Sequence, residues 1–276
     1  MTRSLLSKLC GITGLLALTC TAPNGWAAEY STGNALGFSR DGNHFVFEEF
    51  GSTDGLGAPY VNLYAIDIVR DRWLKGTPVR LQSSEEEVFA LEQKLAGEGI
   101  TDPLDMEDRT RDAIFALRAK AAKKAKPVIS GLGRLRSGDL RVHNPPQELT
   151  NDARQVRFSI QYYRSLINSA PDIKAWKLSL RENKFAANDA CFGLHDNMAG
   201  FRLVLSNEET GEEMVLNDDK RVPKSRGCPL KYYVEQVMTY PRKDGGFSLA
   251  VLVRYATPGF EGPDGRLIAV TSIIDP

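Results

Sequence analysis

The chain has 276 residues, 35 basic and 35 acidic side chains, no formal net charge and a hydrophobic fraction of 42%. Near-neutral charge excludes a general electrostatic attraction to nucleic acid or to an anionic membrane surface. The length is enough to bury a core as one or two domains.

Residues 1–27 carry the pattern of a secretory signal peptide, with Arg3 and Lys8 at the start, a short apolar run from Leu9 to Thr21, and small residues at Gly25 and Ala27. The run is shorter than the ~20 residues a spanning helix needs. The alternative is a lipoprotein cut before Cys20, against which stands the bulky Thr19 at the cleavage position. Cleavage after Ala27 leaves residues 28–276, which are 249 residues with a net charge of −2, since two basic residues and no acidic ones depart. A single exported domain without a membrane span is expected there.

The exported part opens on Leu36 to Phe50, LGFSRDGNHFVFEEF, which predicts a hairpin. Asp41-Gly42 makes its turn, because glycine takes positive φ and aspartate bonds nearby backbone. Tyr60 to Asp67 and Pro78 to Leu81 predict two further strands. From residue 84 the period changes. Ser84 and Glu87 form a capping box, Val88, Leu91 and Leu95 follow at helical spacing, and Gly97 and Gly99 stop the helix. A second helix is predicted from about Asp105 to Lys124, with Ile114, Leu117 and Ala121 on one face and Pro127 ending it. Lys123, Lys124 and Lys126 complement the helix dipole at a solvated end.

Strand periodicity returns after residue 138. Val156 to Tyr162, Trp176 to Leu180 and Phe201 to Leu205 alternate apolar with polar residues, and Glu209-Thr210-Gly211 turns toward Met214 to Leu216. Each predicts one wet and one dry face. Phe247 to Tyr255 and Leu267 to Ile274 are apolar on both faces, which predicts central strands. The fold class that follows is mainly β. Antiparallel sheets, sandwich-like or partial propeller-like, carry a two-helix insertion at about 84–126.

Cys191 and Cys228 are the cysteines left after export. An even pair outside the cytoplasm predicts a disulfide, worth about 3–4 kcal/mol in the chain-entropy account. The rival is a Cys191 nucleophile with His195 as base. The three histidines, His44, His143 and His195, lack metal-ligand spacing. There is no phosphate loop or nucleophile elbow, so no metal and no cofactor is expected.

The candidate site residues are few. In Phe45-Val46-Phe47-Glu48-Glu49-Phe50 a regular strand must place Glu48 or Glu49 on a core-facing side. A buried carboxylate needs an arginine such as Arg254, or a proton. The alternatives are an acid in a cleft, a strand that ends or bulges at Glu48 leaving both acids wet, and a structural ion pair. Trp73, with Tyr60, Tyr162, Tyr163, Trp176, Tyr232 and Tyr233, could line a sugar or peptide groove, or pack the sheets as aromatics commonly do. Glu48, Glu49, Trp73 and Arg254 are thus candidate ligand-binding residues. The function expected is binding, with an envelope protein, a peptide or a glycan as partner. An envelope hydrolase using Glu48 or Glu49 is the alternative.

Two resemblances accompany these residues. Phe38-Ser39-Arg40-Asp41-Gly42, the strand at Phe45-Val46-Phe47 and Tyr64-Ala65-Ile66-Asp67 are similar to one repeat of the TolB-type propellers, and Asp264-Gly265 before Leu267 echoes the turn. No matching turn recurs at propeller spacing between them, so a complete ring is not the expectation. The last strand is expected to join the sheet of residues 44–67. Gly37-Phe38-Ser39, Phe47-Glu48-Glu49-Phe50-Gly51, Asp71-Arg72-Trp73, Gly76-Thr77-Pro78, Cys228-Pro229 and Thr257 to Asp264 resemble, in addition, a family of predicted secreted bacterial proteins, a domain of unknown function. That resemblance implies export and carries no assigned chemistry.

Overall fold

Three antiparallel sheets and a helix stack in four layers. They were located in a computed structural model that describes residues 31–53, 55–100, 103–145, 153–162, 172–259 and 262–275. The signal segment 1–27, Tyr163 and the Phe260-Glu261 pair lie outside the described residues.

The first sheet holds β1 (Thr32–Phe38), β2 (His44–Ser52), β3 (Pro59–Asp67), β4 (Arg72–Trp73) and β5 (Val79–Gln82). It runs β1-β2-β3, with β4 and β5 both pairing with β3 along its outer edge. The β1–β2 connection is the Phe-Ser-x-Asp-Gly turn. Gly42 takes φ 74°, and the Asp41 carboxylate accepts from the Ser39 hydroxyl and the Asn43 peptide. Ser248 donates its hydroxyl to the Gly42 carbonyl, which fixes this turn on the central sheet.

Two helices follow, α1 (Glu85–Gly97) and α2 (Pro103–Ser130). The Ser84/Glu87 capping box forms with both of its hydrogen bonds, and Gly99 takes φ 75° just past the end of α1. Pro127 does not end α2, contrary to the expectation from sequence. It lies in the last turn, where its missing N–H deprives only the carbonyl of exposed Lys123. Val128 and Ile129 continue the apolar face beyond it.

The central sheet has the order β13-β12-β11-β6, from β6 (Asp139–His143), β11 (Lys231–Pro241), β12 (Phe247–Thr257) and β13 (Asp264–Ile274). The outer sheet is a meander of β7 (Gln155–Tyr162), β8 (Asp172–Ala186), β9 (Asn197–Asn207) and β10 (Glu213–Asp218). It is inserted in the chain between β6 and β11.

Strand alternation then builds three cores. Val46, Val61, Leu63 and Ala65 face Leu117, Ala121 and Ala125 of α2. On the opposite face of the same strands, Phe45, Phe47, Tyr64 and Ile66 meet Ala250, Leu252 and Leu267 of the central sheet. The other face of the central sheet, with Leu249, Val251 and Val253, packs on Phe158, Leu178, Phe201 and Leu203 of the outer sheet. β12 is therefore buried along nearly its whole length.

The sandwich-like expectation holds, and the described sheets close no ring. Leu267 to Ile274 pairs with β12 in the central sheet, not with residues 44–67, and it is an edge strand. Cys191 and Cys228 are bonded, with Cα atoms 5.0 Å apart, so Cys191 has no free thiol for His195 to activate. No helix among the described residues is long and apolar enough to cross a membrane.

Candidate functional site

The conflict in β2 resolves by burial of both acids. The strand runs straight through to Ser52, and Glu48 and Glu49 are 4% and 3% exposed. They point to opposite faces. Glu48 turns toward α2, where its Oε1 accepts from Arg118 Nη2 at 2.6 Å, Arg118 Nε at 3.2 Å and Asn34 Nδ2 at 2.8 Å. The Arg118 guanidinium also covers the Phe50 ring at 4.2 Å.

Glu49 turns toward the central sheet. Its carboxylate accepts from the Asn62 amide at 2.9 Å, the Tyr64 hydroxyl at 3.0 Å, the Leu267 peptide N–H at 2.8 Å and the Ser31 hydroxyl at 3.4 Å. Burial first, then the adjacent Glu49 charge, raises the Tyr64 hydroxyl well above its ordinary pKa, so it stays a donor. Arg254 joins the same cluster from β12. It donates through Nη1 to the Ser31 hydroxyl at 3.1 Å and through Nη2 to the Ser31 carbonyl at 2.7 Å, and its Nε is paired with Glu235. The arginine foreseen as partner to a β2 acid is thus joined to Glu49 through Ser31. Four donors fill both oxygens of Glu49, and Glu48, 4% exposed, is held through Oε1 by Arg118 and Asn34, so both carboxylates serve as buried structural anchors.

Trp73 stands elsewhere, on a cleft of about 210 Å³ where edges of the three sheets converge. From the first sheet, β4 and β5 overhang with Trp73 and Arg80. Their register opposite Ile66 and Asn62 puts both on the face turned to the central sheet. From the outer sheet come Asn217 of β10 and the 223–226 loop. The open edge of β13, Leu267 to Val270, makes the floor.

Trp73 is 46% exposed, a large aromatic surface left to solvent. It leans on Tyr64 with centroids 5.9 Å apart, and the Arg80 guanidinium lies 5.4 Å from the Trp73 ring centroid. Among the described residues Arg80 forms no ion pair. The second arginine in the lining differs. Arg226 donates to Asp219 and to the Tyr232 hydroxyl and stacks 5.0 Å from the Phe201 centroid, so it is a fixed part of the wall. Arg80 escaped attention in the sequence, although its place between inward Val79 and Leu81 puts it, with Gln82, on the face of β5 turned away from α2.

Asp71 closes one end. The residue itself is exposed on its tight turn, at φ 43°, but its carboxyl is turned in and accepts from the Thr271 N–H at 2.8 Å and the Thr271 hydroxyl at 2.7 Å. Burial of that carboxyl raises its pKa, against the lowering effect of the Thr271 hydrogen bonds. A carboxyl raised on folding supports the fold fully below its unfolded pKa, near ~3.9, and that support is lost as pH rises through the folded value. Asp71→Asn keeps the acceptor and tolerates the left-handed backbone. Its unfolding midpoint in urea is expected to gain on wild type as pH rises from about 3 to about 7. A variant that instead loses ground over that range would show that the charge itself stabilises the turn.

The arrangement is suited to holding a ligand. It offers a stacking platform, an unpaired cation and polar rim groups, and neither a histidine nor an unengaged carboxylate lies in the lining. A larger groove, about 480 Å³, runs between α1 and α2, but its walls are chiefly the apolar faces the helices turn to each other, with Val88, Leu91 and Leu95. His44, His143 and His195 lie apart in the fold, and no cluster of metal-ligating side chains occurs among the described residues. The aromatics other than Trp73 mostly pack sheets: Tyr60, Tyr162, Trp176 and Tyr232 are buried.

Neither the curated proteins nor the solved structures contain a match to this chain. The model of a family described as predicted secreted protein (DUF2259) matches residues 46–272, a span that takes in most of β2, both helices, the disulfide and the whole cleft, and the chain belongs to that family of predicted secreted proteins.

Proposed function

We propose that the protein is a non-enzymatic binding module of the bacterial cell envelope, exported by residues 1–27 to the periplasm or beyond as one domain, residues 28–276. Its ligand site is the cleft at the open edge of β13. The observation that carries this reading is Trp73, half exposed yet held in place between Tyr64 and Arg80. A single exposed apolar side chain is ordinary on a protein surface, and what sets this ring apart is its setting. Here it is presented with a cation over its ring, on a cleft whose one acid, Asp71, is bonded to Thr271. Glu49 and Arg254 serve the site from beneath by fixing Tyr64 and β13, and Glu48 anchors α2 on the far side. The partner is an envelope glycan or peptide rather than nucleic acid or lipid surface.

The test uses the protein's own reporter. After export the chain retains Trp73 and Trp176, and Trp176 is buried at 8% exposure. Acrylamide therefore quenches chiefly Trp73. A panel of envelope glycan fragments and peptides is expected to contain a ligand that protects Trp73 from quenching. Trp73→Ala removes the reporter, so its affinity is read by titration calorimetry, where it should be about tenfold weaker, in line with the loss of an aromatic anchor, while the unfolding free energy moves by no more than about 0.5 kcal/mol, as for other surface substitutions. Binding that survives Trp73→Ala unchanged would place the site elsewhere.

A further inference from the structure

Resting on that reading of the cleft, we infer that its ligand is a carboxylated sugar residue, stacked on Trp73 with its carboxylate on the Arg80 guanidinium. Three observations point the same way. The first concerns the floor. β13 pairs with β12 on one side and is open on the other. The N–H groups that alternate toward the open side include those of Leu267 and Thr271, and both are already taken by the carboxylates of Glu49 and Asp71. Only Ala269 between them still turns its peptide group toward the cleft. An extended peptide that adds to a sheet edge needs a run of such groups. This edge is blocked against a strand but not against a compact ring.

The second observation is the shape of the wall. Trp73 presents ring surface, and Ser225 and Asn217, the latter with its amide nitrogen bonded to the Phe201 carbonyl, are polar residues of the lining of a cleft of about 210 Å³. That volume is below the ~300–1,000 Å³ typical of pockets for drug-sized ligands. A single pyranose matches it. Its C–H face lies on an aromatic surface and its hydroxyl rim meets amide and hydroxyl groups.

The third is charge. Arg80 has no ion pair among the described residues, and its guanidinium lies over the Trp73 ring, 5.4 Å from the centroid, so a ligand on the exposed part of that ring meets it. A guanidinium fork matches a carboxylate in bidentate fashion. The acid in the lining, Asp71, is turned to Thr271 through its Oδ1, and Glu49 has donors on both oxygens. A neutral sugar would leave Arg80 unmatched, whereas a uronic acid or a lactyl-bearing amino sugar would not.

The experiment compares three probes by quenching of Trp73 fluorescence in the mature protein. They are a glucuronate trisaccharide, the glucose trisaccharide of the same linkage, and an acidic tripeptide. The glucuronate probe is expected to bind about tenfold tighter than the glucose one, as for a hydrogen bond to a charged group. Arg80→Gln should erase that gap, Arg80→Lys should restore part of it, and raised salt should narrow it. Unchanged thermal unfolding of the Arg80 variants keeps the comparison clean. Equal affinity for the two sugars, with Trp73 protected by both, overturns the carboxylate assignment and leaves the binding cleft standing. Protection by the tripeptide alone overturns the sugar class and again leaves the cleft. No protection by any of the three overturns the inference.

Discussion

Arg254→Met is expected to lower the unfolding free energy by about 3–5 kcal/mol, the usual cost of removing one partner from a buried ion pair. Arg254 is 1% exposed on β12, and Glu235, at 3%, is aimed at it by the bulge that shifts the register of β11 between Val234 and Gln236. The substitution strands the Glu235 carboxylate in the interior. It also removes the donors to the Ser31 carbonyl, the Ser31 hydroxyl and the Gly265 carbonyl. Ser31 is the link from this pair to Glu49, so the damage spreads into the interface between the first and central sheets. Chemical denaturation at constant m-value measures it. Adding Glu235→Met to the same chain should recover much of the loss, since an apolar pair of similar volume no longer buries an uncompensated charge. A single Arg254→Met variant within about 1 kcal/mol of wild type would mean that water reaches Glu235, and the pair would not be the lock described here.

How far these contacts could be foreseen differs residue by residue. The oddity of two acids in a phenylalanine-rich strand is plain in the sequence, and so is the need for a partner. That both faces of β2 are dry is not, because it depends on α2 covering one face and the central sheet the other, and each comes from a distant part of the chain. Periodicity reports the faces of a strand and is silent about its edges. Leu267 to Ile274 shows the consequence. Its two apolar faces suggest a central strand, yet the layers above and below supply that cover while one edge remains open. The same open edge makes the floor of the cleft. Trp73 could be singled out as an aromatic near a turn, but its neighbours Arg80, Asn217 and Ser225 come from separate segments and converge only in the folded chain. Local signals fared better where the physics is local. The capping box and the Asp41-Gly42 turn formed as expected, and the disulfide, 37 residues apart, followed from there being one cysteine pair to join.

Removal of residues 266–276 is expected to abolish cooperative folding of the whole chain, including the first sheet to which β13 does not belong. The strand contributes Leu267 to the core against the first sheet and Val270 and Ile274 to the core against the outer sheet. Burial of each such side chain is worth roughly 1.5–3 kcal/mol, so three amount to a large share of the ~5–15 kcal/mol that holds a typical domain. Truncation also opens the edge of β12 and takes away the Leu267 N–H that satisfies Glu49. Gly33 on β1 approaches Leu267 so closely that an added Cβ would lie 2.4 Å from its Cδ1, which shows how tightly β1 rests on this strand. The expected result is a chain without a sigmoidal denaturation curve. Glu49→Gln isolates one part of the effect. It leaves β13 in place but puts a donor among donors, and should cost only about 1–3 kcal/mol, the penalty for an unsatisfied buried group. A truncated protein that keeps a cooperative transition near the wild-type midpoint would show that the first sheet and α2 stand without β13, and that the coupling through Glu49 and Leu267 is not what joins the layers.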